Sequence, residues 1–228
     1  MTGWLGPAEW QAVRLSLVVA LWATAVSLTF ALAAAYALAR GRFAGRQALN
    51  VLVHLPLIMP PVVTGYGLLL LLGRRGPLGA ALEQALGLVL AFRWTGAVVA
   101  AAVMAFPLSV RAIRQALEAV DPKLEQAAAT LGASRLRIFA TVTLPLILPG
   151  LLAGAILGFA KALGEFGATI TFVSNIPGQT QTIPLAISAA LDVPGAEPVA
   201  LRLAAVSVVL AAAALAASEM LAARMARK

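Results

Sequence analysis

The stretch Leu15–Ala39, LSLVVALWATAVSLTFALAAAYALA, runs for 25 residues without a charged side chain. A helix rising about 1.5 Å per residue crosses the hydrocarbon core of a bilayer in roughly 20 apolar residues, so this run is long enough to span it. Its end, AAAYALA, offers the small residues of a leader cleavage site. A secretory leader, however, has an apolar region of only about 7–15 residues behind a basic start. The tail ahead of this run, MTGWLGPAEWQAVR, has no basic residue before Arg14. The run is therefore read as a retained membrane span.

Further runs of the same kind follow. Leu49–Gly73 carries only His54, Trp94–Val110 carries no charge, and Leu203–Ser218 lies uncharged between Arg202 and Glu219. Val142–Leu163 is apolar apart from Lys161 and is interrupted by Pro and Gly. The runs are continuous rather than alternating, which argues for helices and against a barrel. The expected architecture is an all-α polytopic membrane protein, a single transmembrane domain over 1–228. Its five or so spans fall near 15–39, 49–73, 91–113, 142–165 and 200–221.

Composition leads to the same class. Of 228 residues, 61% are hydrophobic and 11% charged, with a mean hydropathy of +0.94. A soluble domain is about half apolar and about a quarter charged, and needs that charge to cover its surface. The net charge of +8 is spread over segment ends rather than gathered on one face, so no nucleic-acid partner is expected. No Cys is present, which removes disulfides, thiolate metal sites and a cysteine nucleophile. One His and nine scattered acids provide no nucleophile–base pair, metal-ligand spacing or paired carboxylates. Neither a catalytic residue nor a metal site is expected. The three lysines, Lys123, Lys161 and Lys228, lie outside any G-x-x-x-x-G-K-[ST] phosphate loop. If ATP drives this protein, another chain must hydrolyse it.

Orientation follows from basic residues, which favour the cytoplasmic side. With the N-terminus outside, the cytoplasmic segments hold Arg40, Arg42, Arg46, Arg111, Arg114, Lys123, Arg135, Arg137, Arg224, Arg227 and Lys228. That is eleven of seventeen, while Gly164–Val199, placed outside, holds none. Arg74, Arg75 and Arg93 count against this arrangement, but the reverse one inverts the whole bias. The expected topology is N-terminus out and C-terminus in.

Three polar features stand out. The first is DPKLEQAAATLGASRLRIFATVTLP, Asp121–Pro145, on the cytoplasmic side between spans three and four. Asp121 can cap a helix with Pro122 in its first turn. Leu124, Ala127, Ala128 and Leu131 then form one apolar stripe, from which Glu125, Gln126 and Thr130 face away. Gly132 ends the helix in a left-handed conformation and Ser134 starts another turn. Periodicity alone leaves this helix evenly divided between lying on the headgroups and docking a cytoplasmic partner.

The second feature is LPLIMPPVVTGYG, Leu55–Gly67. Pro56, Pro60 and Pro61 remove three backbone donors, and broken spans of this kind are tolerated where they are buried in protein or line a watery cavity. A pathway role is favoured over a packing kink, and His54 is assigned no role. The third is KALGEFGATITFVSNIPGQTQTIPLAIS, Lys161–Ser188. Lys161 and Glu165 stand i, i+4 in a span, either as functional ionisable groups or as a pair that offsets its own desolvation. Thr169, Thr171, Ser174, Asn175, Gln179, Thr180, Gln181 and Thr182 follow as neutral polar groups. They are expected to form a polar wall suited to a hydrated or oxyanionic solute. Ile183–Leu191 is too short to span, so 166–195 is expected to be re-entrant or interfacial on the outer face.

With these residues in view, the chain resembles the permease subunits of ABC importers. Their cytoplasmic signature is E-A-A-x-x-x-G, then nine residues, then I-x-L-P. Here it stands as Gln126-Ala127-Ala128, Gly132 and Val142-Thr143-Leu144-Pro145, with Gln126 in place of the usual Glu and Val142 in place of Ile. LPLIMPPVVTGYG and GEFGATITFVSNIPGQTQTIPLAI are similar to molybdate permeases, with sulfate and thiosulfate permeases as nearest relatives. Some of those relatives carry an additional N-terminal helix, for which this chain is too short at its start.

The resemblance implies a homodimer with two cytoplasmic ATP-binding subunits, which hold the ATP and magnesium; this chain binds no cofactor. An external binding protein would deliver molybdate or tungstate, across a bacterial or archaeal cytoplasmic membrane. Coupling to the ATPase would involve Leu124, Glu125, Gln126, Ala127, Ala128, Leu131, Gly132, Ala133 and Ser134. The pathway or gate would involve Pro60, Pro61, Thr64, Lys161, Glu165, Thr169, Thr171, Ser174 and Asn175. Gly178, Gln179 and Gln181 would meet the binding protein. The alternatives are a sulfate or thiosulfate importer, an ion-driven secondary transporter, for which only Glu165 is a coupling candidate, and a membrane scaffold.

Overall fold

The computed structural model describes residues 4–226. Arg227 and Lys228, counted above among the cytoplasmic basic residues, lie outside the described residues, as does the side chain of Arg224. Four helical stretches are long and apolar enough to cross a membrane: α1 (Pro7–Arg40), α5 (Trp94–Ala119), the continuous helix Arg135–Leu163, and α11 (Glu197–Ala226), apolar over Glu197–Ala217. The second apolar run is divided into α2 (Arg46–Ile58) and α3 (Pro61–Leu72), which meet at 115°. Met59 and Pro60 are extended at the break, where Pro60 and Pro61 interrupt the helical ladder. The pair still traverses the bundle. Asn50 at its start bonds Arg114 near the end of α5, while Gly73 and Arg74 past its end share a cavity with Arg93 and Trp94 at the start of α5. Counted with this broken span, the helices crossing the bundle number five among the described residues.

Shorter elements connect them. α4 (Pro77–Leu86) follows α3, and α6 (Pro122–Thr130) and α7 (Arg135–Ile138) follow α5. A π-helical turn, Phe139–Thr143, joins α7 to α8 (Leu144–Leu163). Beyond it α9 (Gly167–Val173) and α10 (Ile183–Leu191) form the segment expected to be re-entrant or interfacial. We call the end of the bundle that carries α6 the α6 end, in the functional reading below the docking end, and the opposite one the far end.

α5 is the axis of the core. Its Ala97, Ala100, Ala101 and Ala105 are buried with Ala20 and Ala23 of α1, and its Val110, Ile113 and Leu117 with Ala31, Ala35 and Leu38. Lipid provides little hydrophobic force between helices, so close approach of small side chains carries the packing. α8 meets α5 along Gly150, Gly154 and Gly158, one residue per turn on one face. A Cβ at Gly150 would collide with Ala116, and one at Gly158 would stand 2.7 Å from the Ser109 hydroxyl. That hydroxyl donates to the Gly154 carbonyl at 2.9 Å. Three glycines spaced by four are readable in the sequence as a helix-contact ridge.

The helices outrun the apolar windows. α1 begins at Pro7 rather than near Leu15, α5 continues to Ala119, and the fourth helix begins at Arg135 rather than Val142. Charged turns at these ends are held by pairing: Glu9 accepts from the Gly6 N–H and from Arg202 Nε, and Arg114 Nε donates to Glu118 at 2.8 Å. Hydropathy detects the part that lies in hydrocarbon; side-chain pairing extends the helix past it.

Candidate functional site

Three places gather the polar features. At the α6 end, Asp121 caps α6, its carboxylate accepting from the Lys123 N–H at 2.9 Å, with Pro122 in the first turn. The helix closes on Gly132 at φ +80°, with Gly132 N–H donating to Ala129 and Ala133 N–H to Ala128. This paired ending demands a left-handed residue, which glycine adopts without a Cβ clash. Ser134 Oγ accepts from the Arg137 N–H and starts α7.

The face so built is open. Leu124 is 49% exposed, Leu131 89% and Leu136 78%; Gln126, Ala127 and Ser134 are exposed, and Ala128 and Ala133 half-buried. Glu125 behaves differently. Its Oε1 accepts from Arg40 Nη2 at 3.4 Å and from the Thr143 hydroxyl at 2.9 Å, and Arg40 also donates to the Val120 carbonyl. Glu125 thus points into the protein and fastens α6 to the end of α1 and to the π-helical turn. Arg40 and Thr143 were not recognisable as partners from the sequence, because neither is near Glu125 along the chain. The turn also sets Phe139 edge-on to Tyr36, ring centres 5.6 Å apart.

Midway along the bundle, the proline break and the GEFGAT block come together. α3 crosses α9 with almost no space between backbones: a Cβ on Gly65 would lie 2.8 Å from the Ala168 Cα, and one on Gly167 2.7 Å from the Pro61 Cβ. Glu165 is 3% exposed, paired with Lys161 at 2.8 Å. Its other oxygen accepts from the Ala168 N–H at 3.0 Å and so caps α9. Lys161 is half-buried, and Pro60, Pro61 and Phe166 are exposed.

Of the eight groups expected to form a polar wall, Thr171, Ser174, Asn175 and Gln181 are half-buried and Gln179 is exposed, while three are withdrawn from the surface. Thr169, Thr180 and Thr182 are buried within the chain, and Thr64 is buried between α3 and its neighbours. Thr171 donates to the Gly167 carbonyl, and Thr180 donates to Ser174 while accepting from the Ile176 N–H. Asn175 Nδ2 donates to the Leu185 carbonyl. Thr171, Asn175 and Thr180 thus take nearby free backbone groups, whereas the Thr64 and Thr182 hydroxyls are buried without a hydrogen-bond partner among the described residues. Ser174 stands at φ +64°, a left-handed position held by the Thr180 hydroxyl.

At the far end, the turn Ile176–Gln181 is exposed at Gly178 and Gln179. Gly178 and Gln179 border a cavity of about 720 Å³ with Arg74, Arg93 and Trp94. Gly178 and Gln181 border a second of about 410 Å³ with Gln11 and Arg14. The segment is stitched to α1 by Ser16, whose hydroxyl accepts from the Ile183 N–H at 2.7 Å. Among the described residues no three His, Asp or Glu side chains gather as metal ligands.

Residues 12–227 match the family described as "Binding-protein-dependent transport system inner membrane component". The chain is 57% identical over 214 residues to the molybdenum transport system permease protein ModB of Escherichia coli, covering 94% of this chain and 93% of that one. With the protein of the same name from Haemophilus influenzae it shares 54% over 220 residues, 96% of each chain. A sulfate transport system permease protein, CysW of Synechococcus elongatus, is 39% identical over 79% of this chain and 63% of its own length. Among solved structures, a bacterial ABC transporter importing the acidic polysaccharide alginate superposes with a TM-score of 0.72 at 18% identity, over 96% of this chain and 80% of that one. The MetNI methionine ABC transporter in an inward-facing form gives 0.68 at 15%, over 96% and 94%. At these identities the structural likeness shows the fold alone.

Proposed function

Since the chain belongs to the family of binding-protein-dependent transport inner membrane components, and is a multi-pass protein of the cytoplasmic membrane, we propose that it forms the pathway of an ATP-driven molybdate importer. It does so as a homodimer, with its N-terminus outside and its C-terminus in the cytoplasm. Two cytoplasmic subunits bind ATP and magnesium and dock on α6 and α7. An external binding protein delivers the oxyanion to the far end, and tungstate, of the same charge and shape, follows the same route. This chain performs no chemistry and binds no cofactor.

The observation that carries the reading is the docking face. It is exposed and apolar at Leu124, Leu131 and Leu136, yet rigidly tied through Glu125 to Arg40 and Thr143. A helix that merely lay on headgroups would have no use for an inward carboxylate bolting it to two spans. Force applied to that face reaches the membrane. Two identical chains present two identical faces, which suits a symmetric pair of ATPases.

The test is reconstitution with the partner ATPase in liposomes, measuring ATP hydrolysis against binding protein loaded with molybdate, tungstate or sulfate. Stimulation and uptake with molybdate are expected. Absence of stimulation by any loaded binding protein would sink the importer reading, and stimulation by sulfate alone would transfer it to sulfate.

A further inference from the structure

A cleft of about 330 Å³ opens between α2 and α5, lined by Asn50, His54, Arg111, Arg114, Gln115 and Glu118. The spacing is not accidental to one residue. Asn50 and His54 are one turn apart on α2, while Arg111, Arg114, Gln115 and Glu118 occupy a single stripe of α5, opposite its buried Val110, Ile113 and Leu117. Arg114 is held in place, Nε on Glu118 at 2.8 Å and Nη1 on Asn50 Oδ1 at 2.9 Å. His54 Nδ1 donates to the Asn50 carbonyl at 2.8 Å, since a carbonyl only accepts. Arg111 is exposed and makes no hydrogen bond or ion pair among the described residues.

Two guanidiniums against one carboxylate leave the cleft positive, and the carboxylate is already engaged by Arg114. Arg111 is the first charged residue past the uncharged run Trp94–Val110, with eight residues, about 12 Å of helix, between it and the end of α5, so it stands where that span leaves the hydrocarbon. One wall of the cleft belongs to the first half of the broken span, the kind of element tolerated beside a cavity. The planar fork of an unpaired arginine suits two oxygens of a tetrahedral oxyanion.

We propose that this cleft is a docking-end way station for the tetrahedral oxyanion, with Arg111 as its principal ligand and Gln115 as a secondary donor. It is the last protein contact before release. The inference rests on the importer reading for its direction of flow, but oxyanion binding is measured without the ATPase or the binding protein, so the two can fail separately. A phosphate headgroup shares this chemistry, and the experiment separates it from a free anion.

The full chain is purified into nanodiscs of zwitterionic lipid, and into others containing anionic lipid, and equilibrium retention of radiolabelled molybdate is measured. Expected is saturable retention in both, competed by excess sulfate and weakened at least tenfold in Arg111→Gln. Arg111 lies on an exposed face, and an unchanged elution profile of the variant discs shows that it folds. Gln115→Leu, which removes a donor but no charge, should weaken retention by a smaller factor. Equal retention by wild type and Arg111→Gln, or no saturable retention in zwitterionic discs, overturns the proposal. Loss of retention when anionic lipid is added also overturns it, assigning the cleft to headgroups.

Discussion

Glu125 and Gln126, adjacent on α6, face different ways. Gln126 is exposed on the docking face and uncharged, while Glu125 is turned inward to Arg40 and Thr143. Glu125 therefore does not replace the missing charge on the face; it fixes the helix that carries the face. Replacing it by alanine leaves a half-buried guanidinium facing a gap, at a cost of about 1–2 kcal/mol once its partial exposure is allowed for. The expected outcome for Glu125→Ala is a lowered unfolding temperature and less uptake per ATP, whereas Gln126→Ala leaves the unfolding temperature unchanged. Equal melting of the two variants would show that the inward contacts do not hold α6. A second residue-scale test concerns Gly65. Valine there would press on the Ala168 backbone, with an overpacking cost of about 1–3 kcal/mol. Gly67, two residues on, has open space around its Cβ direction and serves as the control. Thermal unfolding should separate Gly65→Val from Gly67→Val; coincident curves would refute the close crossing.

At the scale of elements, local signals were the legible ones. The Asp121 cap, the proline in the first turn and the glycine ending of α6 depend only on neighbours in sequence, and they form as the residues imply. The proline break of the second span is equally local. The burial of Thr169, Thr180 and Thr182 was not legible for the complementary reason: whether a threonine faces outward or inward depends on how the broken helices pack. Glu165 itself caps α9, a use that required knowing that a new helix starts at Gly167. The ties from Glu125 to Arg40, and from Ile183 to Ser16, join residues 85 and 167 apart, and no periodicity encodes them. Gly132 offers the cleanest test of an element. Nothing lies within 4 Å of a Cβ built on it, so its substitution acts through the backbone alone. Valine at a left-handed position costs about 1–2 kcal/mol. Gly132→Val should insert in the membrane normally, yet separate ATP hydrolysis from uptake; fully coupled transport in that variant would mean the ending of α6 has no mechanical role.

Across the whole molecule, the docking face and the mid-bundle crossing lie on one rod. The helix Arg135–Leu163 is continuous for 29 residues, about 44 Å, and leads from beside the docking face to Lys161 and Glu165. Along the way it presses its glycine ridge on α5 and then hands over, through the Glu165 cap, to α9, which is locked against the broken span. An unbroken series of contacts therefore joins α6 and α7 to the break at Pro60 and Pro61. The π-helical turn sits at the base of this route, with Thr143 bonded to Glu125 from its last position. If the rod transmits force, softening its base should lower the efficiency of transport without lowering the fuel consumed. Replacing exposed Ala140 and Thr141 together by glycine removes no contact with Glu125 and weakens helix propensity by about 1 kcal/mol at Ala140 and by about 0.3 kcal/mol at Thr141. The double variant is expected to bind the ATPase and hydrolyse ATP at the wild-type rate, while molybdate taken up per ATP falls several-fold. An unchanged ratio in proteoliposomes would mean that the motion enters the membrane through α5 and α1 instead, by way of Arg40.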